Sequence, residues 1–97
     1  ILDYLNPKAI VRIKANLNHK ENDINIHGYH TDFNYENLKT AIYYVNTNNG
    51  FTIFKKDGKK ILSQKNKIVI FDSNEEHSGT NCTDKPFRLA INFNYYT

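Results

Sequence analysis

Apolar and polar residues alternate over much of the chain. From Ala9 to Leu17, the residues Ala9, Val11, Ile13, Ala15 and Leu17 share one side of an extended backbone, with Ile10, Arg12, Lys14 and Asn16 on the other. A period of two predicts a half-buried strand. Asn18 to Asp23 is polar and predicts a loop, and Ile24 to Thr31 a second strand. Phe33 to Leu38 reads as a polar link with a short helical turn. Lys39 to Asn46, rich in β-branched and aromatic residues, predicts a third strand. Thr47-Asn48-Asn49-Gly50 is a strong turn. Phe51 to Lys55 and Lys59 to Ser63 flank Lys56-Asp57-Gly58, which is a hairpin signal. Lys67 to Phe71 is a short, mostly apolar run that fits a buried strand. His77 to Cys82 predicts a further strand, Asp84-Lys85-Pro86 a turn, and Phe87 to Tyr96 the last strand. Residues 1 to 8, with Asn6-Pro7, read as a turn. The chain shows no amphipathic helix and no repeat.

Eight short strands joined by turns predict an all-β sandwich or jelly roll. A length of 97 residues allows one domain, and a hydrophobic content of 39% is enough for a globular fold. The longest unbroken apolar run, Ala41 to Val45, has five residues, far short of the ~20 that a membrane helix needs. No charged-then-apolar leader opens the chain. The one cysteine, Cys82, has no internal partner, which fits a reducing, cytoplasmic compartment.

The net charge is +3 and the pI about 9.0. Lys55, Lys56, Lys59, Lys60, Lys65 and Lys67 cluster around the hairpin. Such a cluster is either a patch for nucleic acid or an acidic partner, or a solvated edge whose lysines resist strand pairing. The solvated edge is the favoured reading, so nucleic acid is not an expected partner.

The candidate chemistry lies in Tyr29-His30-Thr31-Asp32-Phe33. In an extended strand, side chains two residues apart leave the same face, so His30 and Asp32 point one way. His77 follows within Asn74-Glu75-Glu76-His77-Ser78-Gly79, and Arg88, one of two arginines, comes eleven residues later. Two histidines and one carboxylate, with other positions open, suit non-haem Fe(II). An arginine nearby suits a carboxylate ligand. The bland alternatives are a hydrogen-bonded surface pair for His30 and Asp32, a turn-capping His77 and a surface Arg88. Glu75 and Glu76 are rival ligands without a motif partner. His27, three residues from His30, faces the other way in an uninterrupted strand, and His19 lies in a loop; both are left out of the site.

The order His30-x-Asp32, distal His77, then Arg88 resembles the 2-oxoglutarate/Fe(II)-dependent dioxygenases, in particular the prolyl 4-hydroxylase-like group. The likeness extends to Thr40-Ala41-Ile42-Tyr43-Tyr44-Val45-Asn46, to Gly50-Phe51-Thr52-Ile53-Phe54 and to Asn66-Lys67-Ile68-Val69-Ile70-Phe71, and covers about residues 28 to 96. It implies a double-stranded β-helix (jelly-roll) core of eight strands, lacking the helices that usually precede it in the family, so that residues 1–97 would be an N-terminally truncated catalytic core. It implies metal ligation by His30, Asp32 and His77. It implies that Arg88 holds the distal carboxylate of 2-oxoglutarate, with Tyr44 adding its hydroxyl and Thr40 lining the same pocket. The reaction implied is hydroxylation of a C–H bond, a peptidyl proline being the first guess, with release of succinate and CO₂. Fe(II), 2-oxoglutarate and O₂ are the implied cofactor and co-substrates, with ascorbate as accessory reductant. The implied partner is a protein, a peptide or a small molecule, and no membrane is involved.

Two departures bear on substrate choice. The group often carries a tyrosine before its HxD motif, and Arg12-Ile13-Lys14-Ala15-Asn16-Leu17 has none. The nucleic-acid alkylation-repair branch shows a second arginine after the first, and residues 89 to 97 contain none. Two other functions remain open from the residues alone: a jelly-roll binding module without turnover, and a basic β domain that binds nucleic acid.

Overall fold

A computed structural model describes residues 1–97. One helical turn, α1 (Leu2–Leu5), precedes seven strands: β1 (Ala9–His19), β2 (Leu38–Tyr44), β3 (Phe51–Phe54), β4 (Lys60–Leu62), β5 (Ile68–Asp72), β6 (His77–Ser78) and β7 (Phe87–Tyr96). All pairings between strands are antiparallel. They make a four-stranded sheet, β1-β7-β2-β5, and a three-stranded sheet, β4-β3-β6. No helix is long and apolar enough to cross a membrane.

The strand predicted over Ile24 to Thr31 does not form a regular ladder. Its backbone pairs with its neighbour only through bridges Ile26–Thr80 and His30–His77. These bridges are four residues apart on one side and three on the other. One extra residue therefore sits between them, as in a bulge, next to Gly28 and Gly79. The same irregularity shortens the strand predicted from His77 to Cys82 to His77–Ser78. With this irregular segment counted as an eighth strand, each sheet has four, and the result is the double-sheet jelly roll.

Three smaller differences have local causes. Residues 2–5 close one helical turn, ended by Asn6 in the left-handed region at φ 46°. The link before β2 turns at Glu36–Asn37 without a helical turn, with Asn37 at φ 63°; asparagine tolerates that conformation because its side chain bonds locally. In β1, a register shift between Ile10 and Arg12 breaks the predicted face. From there the polar residues Arg12, Asn16 and Asn18 are half-buried, while Ile13 is 50% and Leu17 56% exposed. The strand lies at a sheet edge, and its polar side faces a polar cavity. This reverses the inside–outside assignment expected from the alternation.

Between the sheets lies a small core of Ile42, Tyr44, Phe54, Phe71 and Ala90. Phe54 and Phe71 meet edge to face at 4.9 Å, a geometry that contributes about 0.5–1.5 kcal/mol beyond burial. The outer face of the larger sheet holds a second cluster, Ala41, Phe93 and Tyr95, with Leu5 of α1 packed on it. Here the apolar face of β7 finds its cover, and its other face, with Arg88, Ala90, Asn92 and Asn94, is left to the cavity side.

Candidate metal centre

The His30–His77 bridge sets the two histidines directly opposite each other. Each backbone N–H donates to the other's carbonyl, at 2.9 and 3.0 Å. Residues so paired project side chains from the same side of the sheet, and the two rings lie 4.6 Å apart. Asp32 follows after one residue, and its N–H donates to the Ser73 carbonyl at 3.1 Å. Its Oδ1 lies 3.5 Å from Nε2 of both His30 and His77. One donor atom from each of His30, Asp32 and His77 falls within 4.8 Å of the others.

Each donor is oriented by a neighbour. His77 Nδ1 lies 2.9 Å from the Glu75 carbonyl, and His30 Nδ1 lies 3.3 Å from that of Gly28. A carbonyl accepts only from an N–H, so in the neutral form of each ring the proton sits on Nδ1 and Nε2 keeps its lone pair. The other Asp32 oxygen, Oδ2, accepts from the Thr40 hydroxyl and the Asn94 amide, each at 3.0 Å. Thr40 Oγ1 also meets Ser73 Oγ at 2.8 Å and accepts from Asn94 at 2.9 Å. Asn94 Oδ1 in turn accepts from Arg12 Nε at 3.1 Å. Only Oδ1 of Asp32 therefore faces the histidines.

The donor set fits a divalent metal. His77 Nε2 is the one buried side-chain nitrogen or oxygen without a hydrogen-bond partner. Leaving such a group bare costs about 1–3 kcal/mol, and a metal would relieve it. Donors ~2.1 Å from one ion lie about 3 Å apart at a right angle, so the observed 3.5 Å separations need only a small closure. His30 has the freedom for that, its side chain being 54% exposed against 3% for His77.

The charges lean toward ionisation. Burial pushes the Asp32 carboxyl up, but His77, Asn94 and Thr40 together outweigh it and hold the group well below the usual carboxylate range. Burial lowers His77, yet the Asp32 carboxylate and the Glu75 carbonyl leave it raised above its ordinary value.

Arg88 lies across the same cavity. It is 4% exposed. Its Nε donates to Ser63 Oγ at 3.0 Å, and its guanidinium stands 5.9 Å from the Tyr44 ring centre. No carboxylate pairs with it, and burial lowers its pKa from the ordinary value. Gly50 makes its position possible: a Cβ there would sit 2.5 Å from Arg88 Cδ and 2.5 Å from the Asn81 carbonyl. The cavity measures about 560 Å³ and contains His30, Asp32, His77 and Arg88 in its wall.

Two residues expected at the co-substrate pocket are absent from the wall of this cavity. Thr40 is fully buried behind Asp32, its hydroxyl spent on Asp32, Ser73 and Asn94. Tyr44 is also fully buried, its hydroxyl 2.7 Å from Thr52 Oγ1. Neither lines the cavity. His27, set aside in the sequence because a regular strand would turn it away, does line it. The extra residue between the two bridges lets residues 27 and 30 share that side. Asn94 and Arg12 went unassigned as well. The polar alternation of β7 was the one available signal for Asn94.

No protein-family model matches the chain, and no curated protein matches it in sequence. Solved structures do. A cupin protein from Bacteroides fragilis is similar over 100% of this chain and 74% of its own, with 11% identity and a TM-score of 0.60. An HTH_3 family transcriptional regulator from Vibrio cholerae matches 88% of this chain at 13% identity and a TM-score of 0.58, and the chain spans only 42% of that regulator. An RmlC-like cupin from Desulfovibrio desulfuricans matches 87% of this chain and 82% of its own, at 13% identity and a TM-score of 0.56. At such identities the likeness concerns the fold alone: the chain is an all-β jelly roll similar to the cupins.

Proposed function

We propose that residues 1–97 form the catalytic core of an Fe(II)- and 2-oxoglutarate-dependent dioxygenase that hydroxylates a C–H bond. The observation that carries this reading is one cavity holding both a bare, buried His77 Nε2 beside Asp32 and His30, and a buried arginine without a carboxylate. An unpaired buried cation is costly, and the distal carboxylate of 2-oxoglutarate would neutralise it. The metal, once held by His30, Asp32 and His77, supplies the oxidative chemistry: 2-oxoglutarate, O₂ and R–H become succinate, CO₂ and R–OH.

The chain's own residues have separate tasks. The Gly28 and Glu75 carbonyls keep the Nδ1 protons in place, so both Nε2 atoms stay available. Thr40 and Asn94 occupy Oδ2 of Asp32, which limits the carboxylate to one free oxygen and keeps positions open for co-substrate. Ser63 and Gly50 fix the reach of Arg88. The resemblance alone points to a peptidyl proline as substrate. A reducing, cytoplasmic compartment would suit both Fe(II) and the free Cys82.

The test is succinate formation from 2-oxoglutarate with Fe(II), O₂ and ascorbate, in the protein and in His77→Ala. Turnover that disappears in the variant supports the oxygenase. A second reading keeps the ligand and drops the turnover: a jelly-roll binding module. Its support is that a similar fold makes up part of a transcriptional regulator. Metal-dependent binding of 2-oxoglutarate with no succinate would favour that module. DNA or RNA affinity that falls steeply with salt and survives His30→Ala would favour a nucleic-acid-binding domain instead. Against that, Lys55 and Lys56 of the hairpin cluster already face Glu76 and Glu75.

A further inference from the structure

The cavity wall carries more positive charge than the proposed co-substrate can use. Arg12, Lys14 and Arg88 line it, and Asp32 is its only carboxylate. The carboxylates in ion pairs outside the site are taken by Lys39, Lys55 and Lys56; none pairs with the three cavity cations. Three positive groups against one negative leave a net +2, and a divalent ion would add two more. A dicarboxylate cancels only half of that total.

The surplus is also in a different place. Strand register sets Arg12 opposite Asn94 and Lys14 opposite Asn92, whereas Arg88 stands opposite Asn18. From Asn92 to Arg88 is four residues of β7, about 13 Å at ~3.3 Å per residue. The Arg88 side chain is turned toward Ser63, Gly50 and Gly79. Arg12 is fixed by Asn94 at 3.1 Å and by the face of Phe33, 5.0 Å from its guanidinium carbon. Lys14 is exposed and free to move. A fixed planar fork beside a mobile point charge is a combination suited to a carboxylate or phosphate.

We infer that the cavity binds a second anion at Lys14 and Arg12, and that this anion belongs to the prime substrate, which therefore bears a carboxylate or phosphate. Its assignment to the prime substrate rests on the oxygenase reading; the anion site itself does not. The experiment uses the full 97-residue chain, followed by backbone amide NMR. Methyl phosphate and acetate are titrated separately into two samples: metal-free protein, and Zn(II)-loaded protein saturated with 2-oxoglutarate.

Shifts along β1 and β7 are expected in both samples. Lys14→Gln should weaken the tighter probe about threefold and Lys14→Glu about tenfold or more, the screening of an exposed lysine keeping the first effect small. Lys65→Gln, outside the cavity, should change nothing. The tighter of the two probes identifies the anionic group. If 2-oxoglutarate fails to bind while the Lys14-dependent shifts persist, the anion site stands and the oxygenase reading falls. Displacement of 2-oxoglutarate by either probe, or binding by Lys14→Glu equal to that of the parent, overturns the inference.

Discussion

Replacing Thr40 by valine separates two roles for one hydroxyl. Valine keeps the branched shape and the strand preference of threonine and deletes only Oγ1. That oxygen makes three contacts: to Asp32 Oδ2 at 3.0 Å, to Ser73 Oγ at 2.8 Å and to Asn94 Nδ2 at 2.9 Å. The bond to the ionised carboxylate is worth about 1.5–3 kcal/mol. Asn94 keeps its other bond to Asp32, but Ser73 Oγ loses its side-chain partner. The expected loss of stability is about 2–3 kcal/mol, or roughly 10–20 °C in Tm for a chain of this size. Asp32 would then be held by one donor and free to swing. Losing such a support typically weakens metal binding 10- to 100-fold.

The assay is a Zn(II) or Mn(II) titration by calorimetry, run well below both melting temperatures, with 2-oxoglutarate affinity measured at saturating metal. Thr40→Val should lose metal affinity and, once loaded, bind 2-oxoglutarate nearly as the parent does. Thr40→Ser, which retains the hydroxyl, should recover most of the metal affinity. The opposite pattern, intact metal binding with a tenfold loss for 2-oxoglutarate, would refute this reasoning and return Thr40 to the co-substrate pocket.

Other outcomes follow from the same geometry. Gly50→Ala forces a Cβ against a backbone carbonyl that cannot rotate away; calorimetry should show about 1–3 kcal/mol less stability and a larger loss of 2-oxoglutarate affinity than of metal affinity. Tyr44→Phe removes a hydroxyl bound to Thr52, so denaturation should register a loss of about 1 kcal/mol with 2-oxoglutarate affinity within about twofold of the parent, again by calorimetry. In the metal-free protein, the raised His77 contributes stability fully present below 6.5, its ordinary value, and lost as pH rises through its higher folded one; the depressed Asp32 contributes stability present above 3.8 and lost as pH falls through its lower folded one. Urea melts should therefore be most resistant between those two values. Metal binding needs a neutral His77 and should strengthen as pH rises above that window, as metal titrations at several pH values would show.

How much of this was legible in the chain differs by element. β7 alternates except at Ala90 and Tyr96, so its extent and the shared face of Arg88, Asn92 and Asn94 can be read directly, whereas the inward turn of that face cannot. The Asp-Gly hairpin and the shared face of His30 and Asp32 are local in the same sense. The second strand is not: its ladder breaks at one extra residue, and no local pattern marks where. That break also decides the side on which His27 lies. Asn94 is 62 residues from Asp32, and a hydrogen bond over that distance leaves no trace in spacing. Alternation misled for β1, because periodicity gives two faces without saying which one meets solvent. At a polar cavity on a sheet edge, the hydrophilic face turned inward.

The glycine just before β3 carries a consequence for descent. It leaves a gap that the aliphatic stem of a long cation fills, so positions 50 and 88 form one unit of inheritance. A sequence that kept His30, Asp32 and His77 but placed a side chain at the first position would crowd the guanidinium at the second out of its present place, and weaken the hold on any carboxylate there. Loss of glycine should thus signal a changed acid preference before any assay is run.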